Sequence, residues 1–97
     1  MSYKVTTHIN DYSGNCLNHD IVKYNNKKLF KTMDGARRSI KEFIFDTVYD
    51  LNSKDISLDY SVSIGKCDFK EYEYDVIFQC EYTKWWIEVF YGLEKVE

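Results

Sequence analysis

Two runs of residues, 72–82 and 85–93, alternate between an apolar set of side chains and a mostly polar set, on either side of Thr83 and Lys84. Alternation with a period of two is typical of β-strands that bury one face. The runs therefore predict an antiparallel hairpin with Thr83 and Lys84 in its turn. A four-residue loop over 82–85 would give the same pairing, which matters because Thr-Lys is not a good two-residue turn. In the predicted register each inward pair joins two apolar side chains: Tyr82 with Trp85, Cys80 with Ile87, Phe78 with Val89, and Val76 with Tyr91.

The outward face of this hairpin combines large apolar side chains with carboxylates. An apolar patch rimmed by charge is typical of interaction sites, and tryptophan is enriched among the residues that dominate binding. We therefore predict that this acidic aromatic face binds a partner, through Glu71, Glu73, Asp75, Ile77, Glu81, Trp86, Glu88 and Phe90. Three coverings stay open for the face: the N-terminal strands or the loop at 10–18 of the same chain, a second copy in a homodimer, or a foreign protein.

Elsewhere the sequence predicts one helix and four more strands. Apolar side chains recur every three or four residues from Ala36 to Leu51, which is typical of a helix that lies on a sheet. Thr32 or Asp34 can cap the first amides of this helix. The helix is predicted over 32–51, the strands over 3–9, 19–24, 28–31 and 56–64, and loops over 10–18 and 65–70.

These elements predict an α+β fold. The order is β-β-β-α-β-β-β in a single domain over 1–97, with one curved antiparallel sheet and one helix packed on one face. The inward side then carries several tyrosines, namely Tyr60, Tyr72, Tyr74, Tyr82 and Tyr91.

The composition indicates a soluble, cytoplasmic protein without a disulfide framework. Of the 97 residues, 44% are hydrophobic and 18% are aromatic, which is enough for one core. No apolar run approaches the roughly 20 residues of a membrane helix, and the first residues lack the apolar core of a signal peptide. Cys16, Cys67 and Cys80 are odd in number and far apart, which favours free thiols in a reducing compartment. Cys80 is expected to be a small core residue.

The net charge of −3 is unevenly distributed along the chain. Residues 1–50 hold eight Lys or Arg and six Asp or Glu, a net charge of +2, whereas residues 51–97 hold five and ten, a net charge of −5. An acidic side favours a basic partner. Direct binding of nucleic acid by the sheet is not expected, because phosphate contacts require Lys and Arg.

Sequence motifs typical of metal-binding or catalytic sites are weak in this chain. Cys16 and His19, with His8 and Cys67, could be written as four zinc ligands, but structural zinc sites usually have two close ligand pairs and this chain has one. Cys16 with a histidine base is the corresponding enzyme hypothesis. We predict no catalytic residue, no metal and no cofactor.

A second function hypothesis uses the helix. A tyrosine-lined cavity between sheet and helix could hold a planar ligand such as a nucleotide base. Arg37, Arg38 and Lys41 would then contact its phosphates, although the same residues also suit the solvated face of the helix.

The leading hypothesis is a non-enzymatic inhibitor or adaptor that docks on the basic surface of a larger protein. In size and composition the chain, which is rich in Tyr, Asn and Lys and has no proline, resembles small accessory proteins of phages and mobile elements, including anti-CRISPR and anti-restriction proteins. This resemblance implies a viral inhibitor acting in the cytoplasm of a host cell, with carboxylates competing for a surface that normally binds DNA or RNA.

Overall fold

The structure, a computed structural model, describes residues 1–13 and 19–97. Four strands form one sheet in the order β1-β4-β3-β2, and each neighbouring pair is antiparallel. One long helix, α1, joins β1 to β2 at opposite edges of the sheet. The elements are β1 (Ser2–Ser13), a 3₁₀ turn (His19–Val22), α1 (Met33–Lys54), a second 3₁₀ turn (Ile56–Leu58), β2 (Tyr60–Lys66), β3 (Tyr74–Cys80) and β4 (Trp85–Val96).

The predicted α+β class and the antiparallel sheet with one helix are confirmed, but the predicted strand count is wrong. The sheet has four strands, because residues 19–24 and 28–31 do not form a hairpin. Val22 is fully buried and its carbonyl oxygen accepts a hydrogen bond from the Tyr91 hydroxyl. Phe30 pairs with Tyr3 through two backbone hydrogen bonds of 2.8 Å. This segment therefore contacts the edge of β1 at single residues instead of adding a ladder.

The hairpin of β3 and β4 is confirmed, with its faces as predicted and its register wrong by two residues. Cys80 pairs with Trp85 and Phe78 with Ile87. The loop spans 81–84, and Lys84 adopts a positive φ of 56°. A two-residue turn would need turn residues that tolerate unusual backbone angles, which Thr-Lys does not supply. A slip of two residues leaves every side chain on its original face.

Helix α1 begins and packs as its sequence predicts. The Thr32 hydroxyl oxygen accepts a hydrogen bond from the Gly35 amide at 3.0 Å, which caps the first turn. The buried residues of the helix lie four or seven positions apart, so they form one stripe against the sheet. They are Ala36, Ile40, Ile44 and Leu51.

Strand β2 begins four residues later than predicted. Ile56 is 84% exposed in the second 3₁₀ turn, and Asp59 follows with a positive φ of 51°. The side chain of Asn52, in the last turn of α1, then bonds to both backbone groups of Tyr60: its Oδ1 accepts from the amide at 2.8 Å and its Nδ2 donates to the carbonyl at 2.9 Å. These two bonds fix the start of β2 beside the end of the helix.

The connection between β2 and β3, residues 67–73, passes over the sheet face opposite α1 at Phe69 and Tyr72, whose rings contact Phe90. At Gly92 it approaches so closely that a Cβ atom would lie 2.3 Å from the carbonyl oxygen of Glu71 and 3.1 Å from the ring of Tyr72. A residue without a side chain is therefore required there. Among the described residues, no helix has the length and apolar character needed to cross a membrane.

We expect Gly92→Ala to lower the free energy of unfolding by about 1–3 kcal/mol, because a backbone oxygen must move to admit the methyl group. Gly65→Ala is the matched control: Gly65 lies on the same sheet face, and its Cβ would meet only the Asp75 carbonyl oxygen at an ordinary 3.5 Å. Urea unfolding of the wild type and both variants measures the difference. Equal unfolding free energies for the two variants would contradict this account of Gly92.

Candidate functional site

The sheet face opposite α1 brings together most of the predicted partner-binding residues of the hairpin. Across β3 and β4, Asp75 pairs with Phe90, Ile77 with Glu88, and Gln79 with Trp86. The alternate residues of both strands, including Val76, Phe78, Ile87 and Val89, face the helix and are buried. Asp75, Ile77, Trp86, Glu88 and Phe90 therefore share the outer face, as the alternation predicts.

Phe90 is covered and has no free surface to offer a partner. It is 7% exposed, and its ring centre lies 5.5 Å from those of Phe69 and Tyr72 and 6.3 Å from that of His8. The prediction that Tyr72 faces the helix is wrong, because Tyr72 lies in the connection before β3 begins at Tyr74. Phe90 is therefore covered by parts of the same chain, namely the 67–73 connection and His8 of β1. Phe90 thus anchors the 67–73 connection to the sheet.

The Glu73 side chain does not lie on the outer face of the sheet, where it was predicted. Its Oε1 lies 3.1 Å from Nη2 of Arg37 on α1, and the same guanidinium contacts Asp34 Oδ1 at 3.0 Å. The hydrogen bond to Glu73 is the main cause that raises the pKa of Arg37. The expectation that Glu71, Glu73 and Asp75 project to one side is therefore wrong. Strand alternation does not extend to Glu73, since β3 begins one residue after it.

The basic residues proposed for the ligand hypothesis do not converge. Arg37 is paired with two carboxylates, Arg38 is exposed, and the Lys41 ammonium lies 5.6 Å from the ring centre of Tyr74. Burial raises the pKa of the Tyr74 hydroxyl. Lys41 and Tyr74 line a cleft of about 370 Å³ at the β2 side of the helix, together with Ile64, Gly65, Lys66 and Glu73.

The space between helix and sheet is filled by side chains of the core. Tyr91 and Ile40 are fully buried there and Phe78 is 1% exposed. Packed core side chains therefore take the place of the predicted tyrosine-lined cavity at these positions. The Tyr91 hydroxyl donates a hydrogen bond to the Val22 carbonyl oxygen. Burial raises the pKa of that hydroxyl far above its ordinary value.

A pair of carboxylates, Asp75 and Glu88, lies in the middle of the outer face. The Oδ1 atom of Asp75 is buried without a hydrogen-bond partner among the described residues. Burial disfavours its charged form and raises the pKa of Asp75 to about 6, helped by a hydrogen bond to Glu88 and by repulsion from Glu88 and Asp68. Glu88 also accepts a hydrogen bond from Asn10 Nδ2 on β1. Asp75 is therefore partly protonated near pH 6.

Beyond this pair lies an open depression around Trp86, which we call the Trp86 groove. Trp86 is half-buried, so part of its indole is accessible. The volume of the groove is about 550 Å³, and its lining consists of Ile77, Gln79, Cys80, Glu81, Lys84, Trp85, Trp86 and Glu88. Four lining residues were not in the predicted set, namely Gln79, Cys80, Lys84 and Trp85. Alternation puts Gln79 on the outer face, and the four-residue loop brings Lys84 to the rim. The Lys84 ammonium lies 3.9 Å from the Glu81 carboxylate.

The other predicted residues lie apart from the groove. Glu71 is exposed at the opposite end of the face, beside Thr6 and Leu93. The hypothesis of a Cys16 nucleophile or zinc ligand lies outside the described residues, as does the side chain of His19. Among the residues that are described, no group of three or more His, Cys, Asp or Glu side chains is placed to hold a metal ion. Cys80 is buried and donates its thiol hydrogen to the Leu58 carbonyl oxygen at 3.1 Å.

Comparison of the chain with protein families, with curated proteins and with solved structures found no match. Function is therefore inferred from the groove, its rim and the charges around it.

We expect Asp75→Asn to stabilise the fold at pH 7.5 by about 1–2 kcal/mol, a partial value because Asp75 is partly exposed. The pKa of Asp75 is higher in the folded protein, about 6, than the ordinary 3.8. Its stabilising protonation is therefore complete below pH 3.8 and is lost as the pH rises through 6. Unfolding free energies at pH 5 and pH 7.5 measure this loss, which should be smaller in the variant.

Asp46→Asn, which removes a carboxylate on the exposed side of α1, is the matched control. If Asp75→Asn keeps the full wild-type loss of stability between pH 5 and pH 7.5, the raised pKa of Asp75 is not its cause.

Proposed function

We propose that this protein is a non-enzymatic binding protein that docks its Trp86 groove onto a basic surface of a larger protein. The observation that carries the proposal is the groove itself, where α1 and the 67–73 connection leave a half-buried tryptophan accessible beside Ile77. A half-buried tryptophan is already held in place by its neighbours, so it loses little freedom on binding. Anchors of this kind dominate the binding energy of protein interfaces.

The rim of the groove favours a basic partner. Glu81 and Glu88 carry carboxylates beside Trp86, and Asp11 of β1 pairs across the sheet with Glu88. Lys84 is the basic side chain that lines the groove, and it lies 3.9 Å from Glu81. This arrangement steers a positively charged surface toward the tryptophan and repels an acidic one.

The same chemistry supports inhibition as the outcome of binding. If the basic surface of the partner normally holds DNA or RNA, Glu81 and Glu88 occupy positions that phosphates would otherwise take. The proposal therefore extends to an anti-defence protein of the anti-CRISPR or anti-restriction type, acting in the cytoplasm of a host cell. Direct binding of nucleic acid is not part of it, because the rim is acidic.

The structure narrows the set of residues that we assign to docking. Ile77, Glu81, Trp86 and Glu88 remain, since they line the groove. Phe90 and Glu73 instead hold the 67–73 connection in place, one by ring contacts and the other by its ion pair with Arg37. A charge reversal intended to test docking therefore belongs at Glu81, where it leaves the Arg37–Glu73 pair intact.

A second candidate function is the binding of a small anionic ligand in the cleft at the β2 side of α1. Lys41 and Lys66 line this cleft with the ring of Tyr74, a combination that suits a phosphate attached to a planar group. A thermal shift with nucleotides that is lost in Lys41→Ala, and unchanged in Trp86→Ala, would favour this function over docking.

We expect Trp86→Ala to weaken the complex on the order of 30-fold, equivalent to about 2 kcal/mol, without unfolding the domain. The tagged protein is used to capture its partner from nuclease-treated lysate of the native host, and the purified pair is then measured by calorimetry. Glu81→Lys should slow association and reduce its dependence on salt, because a rim charge acts mainly on the rate of encounter.

Tyr49→Ala is the matched control, since Tyr49 is 74% exposed on α1, at the other side of the sheet. Circular dichroism checks that each variant is folded. Normal binding by a folded Trp86→Ala variant would exclude the groove as the docking site, and equal losses in Trp86→Ala and Tyr49→Ala would show that the effect is not specific to the groove.

A further inference from the structure

Strand β2 lies at an edge of the sheet, where part of its backbone is unpaired within residues 1–13 and 19–97. Both backbone groups of Tyr60 bond to the Asn52 side chain, so they point away from β3. Because hydrogen-bonding direction alternates along an antiparallel strand, the backbone groups of Val62, Ile64 and Lys66 point the same way. Among the described residues, no strand lies beyond β2 to receive them. The open stretch is therefore three outward positions long.

These three positions are symmetric about Ile64, so a second copy of β2 can fill the edge. In an antiparallel pair with a second β2, Ile64 lies opposite its own copy while Val62 and Lys66 lie opposite each other. Each such pair exchanges two hydrogen bonds, so every outward group of both strands is satisfied. We infer that β2 is the interface of a homodimer in which the two sheets join edge to edge around Ile64.

Helix α1 provides the second, independent observation. Lys41 and Asn52 of α1 face β2, since one lines the cleft with Ile64 and the other bonds Tyr60. Phe45 and Val48 lie between them at the spacing i, i+4, i+7, i+11, which keeps all four residues on one side of a helix. Phe45 is nevertheless 56% exposed. A second copy at the β2 edge covers this side of the helix and removes the phenylalanine from water.

The charges at the two ends of β2 favour the same antiparallel partner. Asp59 precedes the strand and Lys66 ends it, and both are exposed. An antiparallel copy brings the basic end of each strand toward the acidic end of the other, whereas a parallel strand would bring like charges together. The edge residues between these ends are uncharged, and the strand has no bulge or proline of the kind that discourages edge pairing.

Near the start of β1, the described part of the opposite sheet edge already has partners. Phe30 pairs with the backbone of Tyr3, and the Tyr24 amide donates to the hydroxyl of Thr7. The β2 interface is also separate from the Trp86 groove, which lies on the outer face of β3 and β4. Dimerisation can therefore succeed or fail independently of docking.

The test is sedimentation equilibrium of the full chain, with amide hydrogen exchange read by NMR. We expect twice the monomer mass of 11.6 kDa, falling to the monomer mass in Phe45→Lys and in Val62→Pro. In the dimer the amides of Val62 and Ile64 should exchange at least about tenfold more slowly than at high dilution. The amides of Ser61 and Ser63, which point to β3, should be protected at both concentrations.

Leu29→Lys is the matched control, because Leu29 is 55% exposed in the segment beside β1. This variant protein should stay dimeric. A wild-type protein that remains monomeric up to about 1 mM, with rapidly exchanging Val62 and Ile64 amides, overturns the proposal. So does a dimer that Phe45→Lys leaves intact, since the contact between copies would then lie elsewhere. If Val62→Pro does not fold, Phe45→Lys and the exchange pattern still decide the result.

Discussion

One helix can cover only one face of a four-stranded sheet, and the arrangement of this protein follows from that constraint. The face under α1 holds the core, including Tyr91 and Phe78. The other face has to be covered by other parts of the chain or meet water. The 67–73 connection covers the part around Phe90, where Gly92 lets its backbone pass close to β4. The part around Trp86 is left accessible, and this is where we propose the docking site.

Two of the acidic residues at this face, Asp75 and Glu81, play different physical roles because they differ in exposure. Asp75 lies among side chains that partly exclude water, so its charge is costly and its pKa rises. Glu81 lies in the exposed loop of the hairpin, where its charge is well solvated and acts over a distance. Counting acidic residues on a strand therefore overstates the negative potential of the face. The rim around Trp86 supplies the charge that a partner would meet.

The sequence predicted which side chains share a face, and it was less able to predict which residues lie opposite each other. Alternation in β3 and β4 separates the inward from the outward set, since a buried face tolerates no slip of one residue. A slip of two residues satisfies the same pattern, and the backbone angles of the loop decide it, with Lys84 at positive φ. Likewise, Val22 and Phe30 have strand-like neighbours, but single long-range contacts to Tyr91 and Tyr3 determine their structure. Glu73 could not be assigned because its partner, Arg37, is distant in sequence.

The occupied edge of β1 has a consequence for how this protein behaves at high concentration. Strands that stack without limit into fibres need two receptive edges on every molecule, one to receive a neighbour and one to offer. Phe30 takes up the backbone groups of Tyr3, and the Tyr24 amide bonds to the side-chain hydroxyl of Thr7, so this end of β1 is partly occupied. If β2 forms the inferred homodimer, the occupied Tyr3 position hinders a further copy from pairing along β1. The segment at 19–31, which does not form the predicted hairpin, thus opposes open-ended growth of the sheet through this edge.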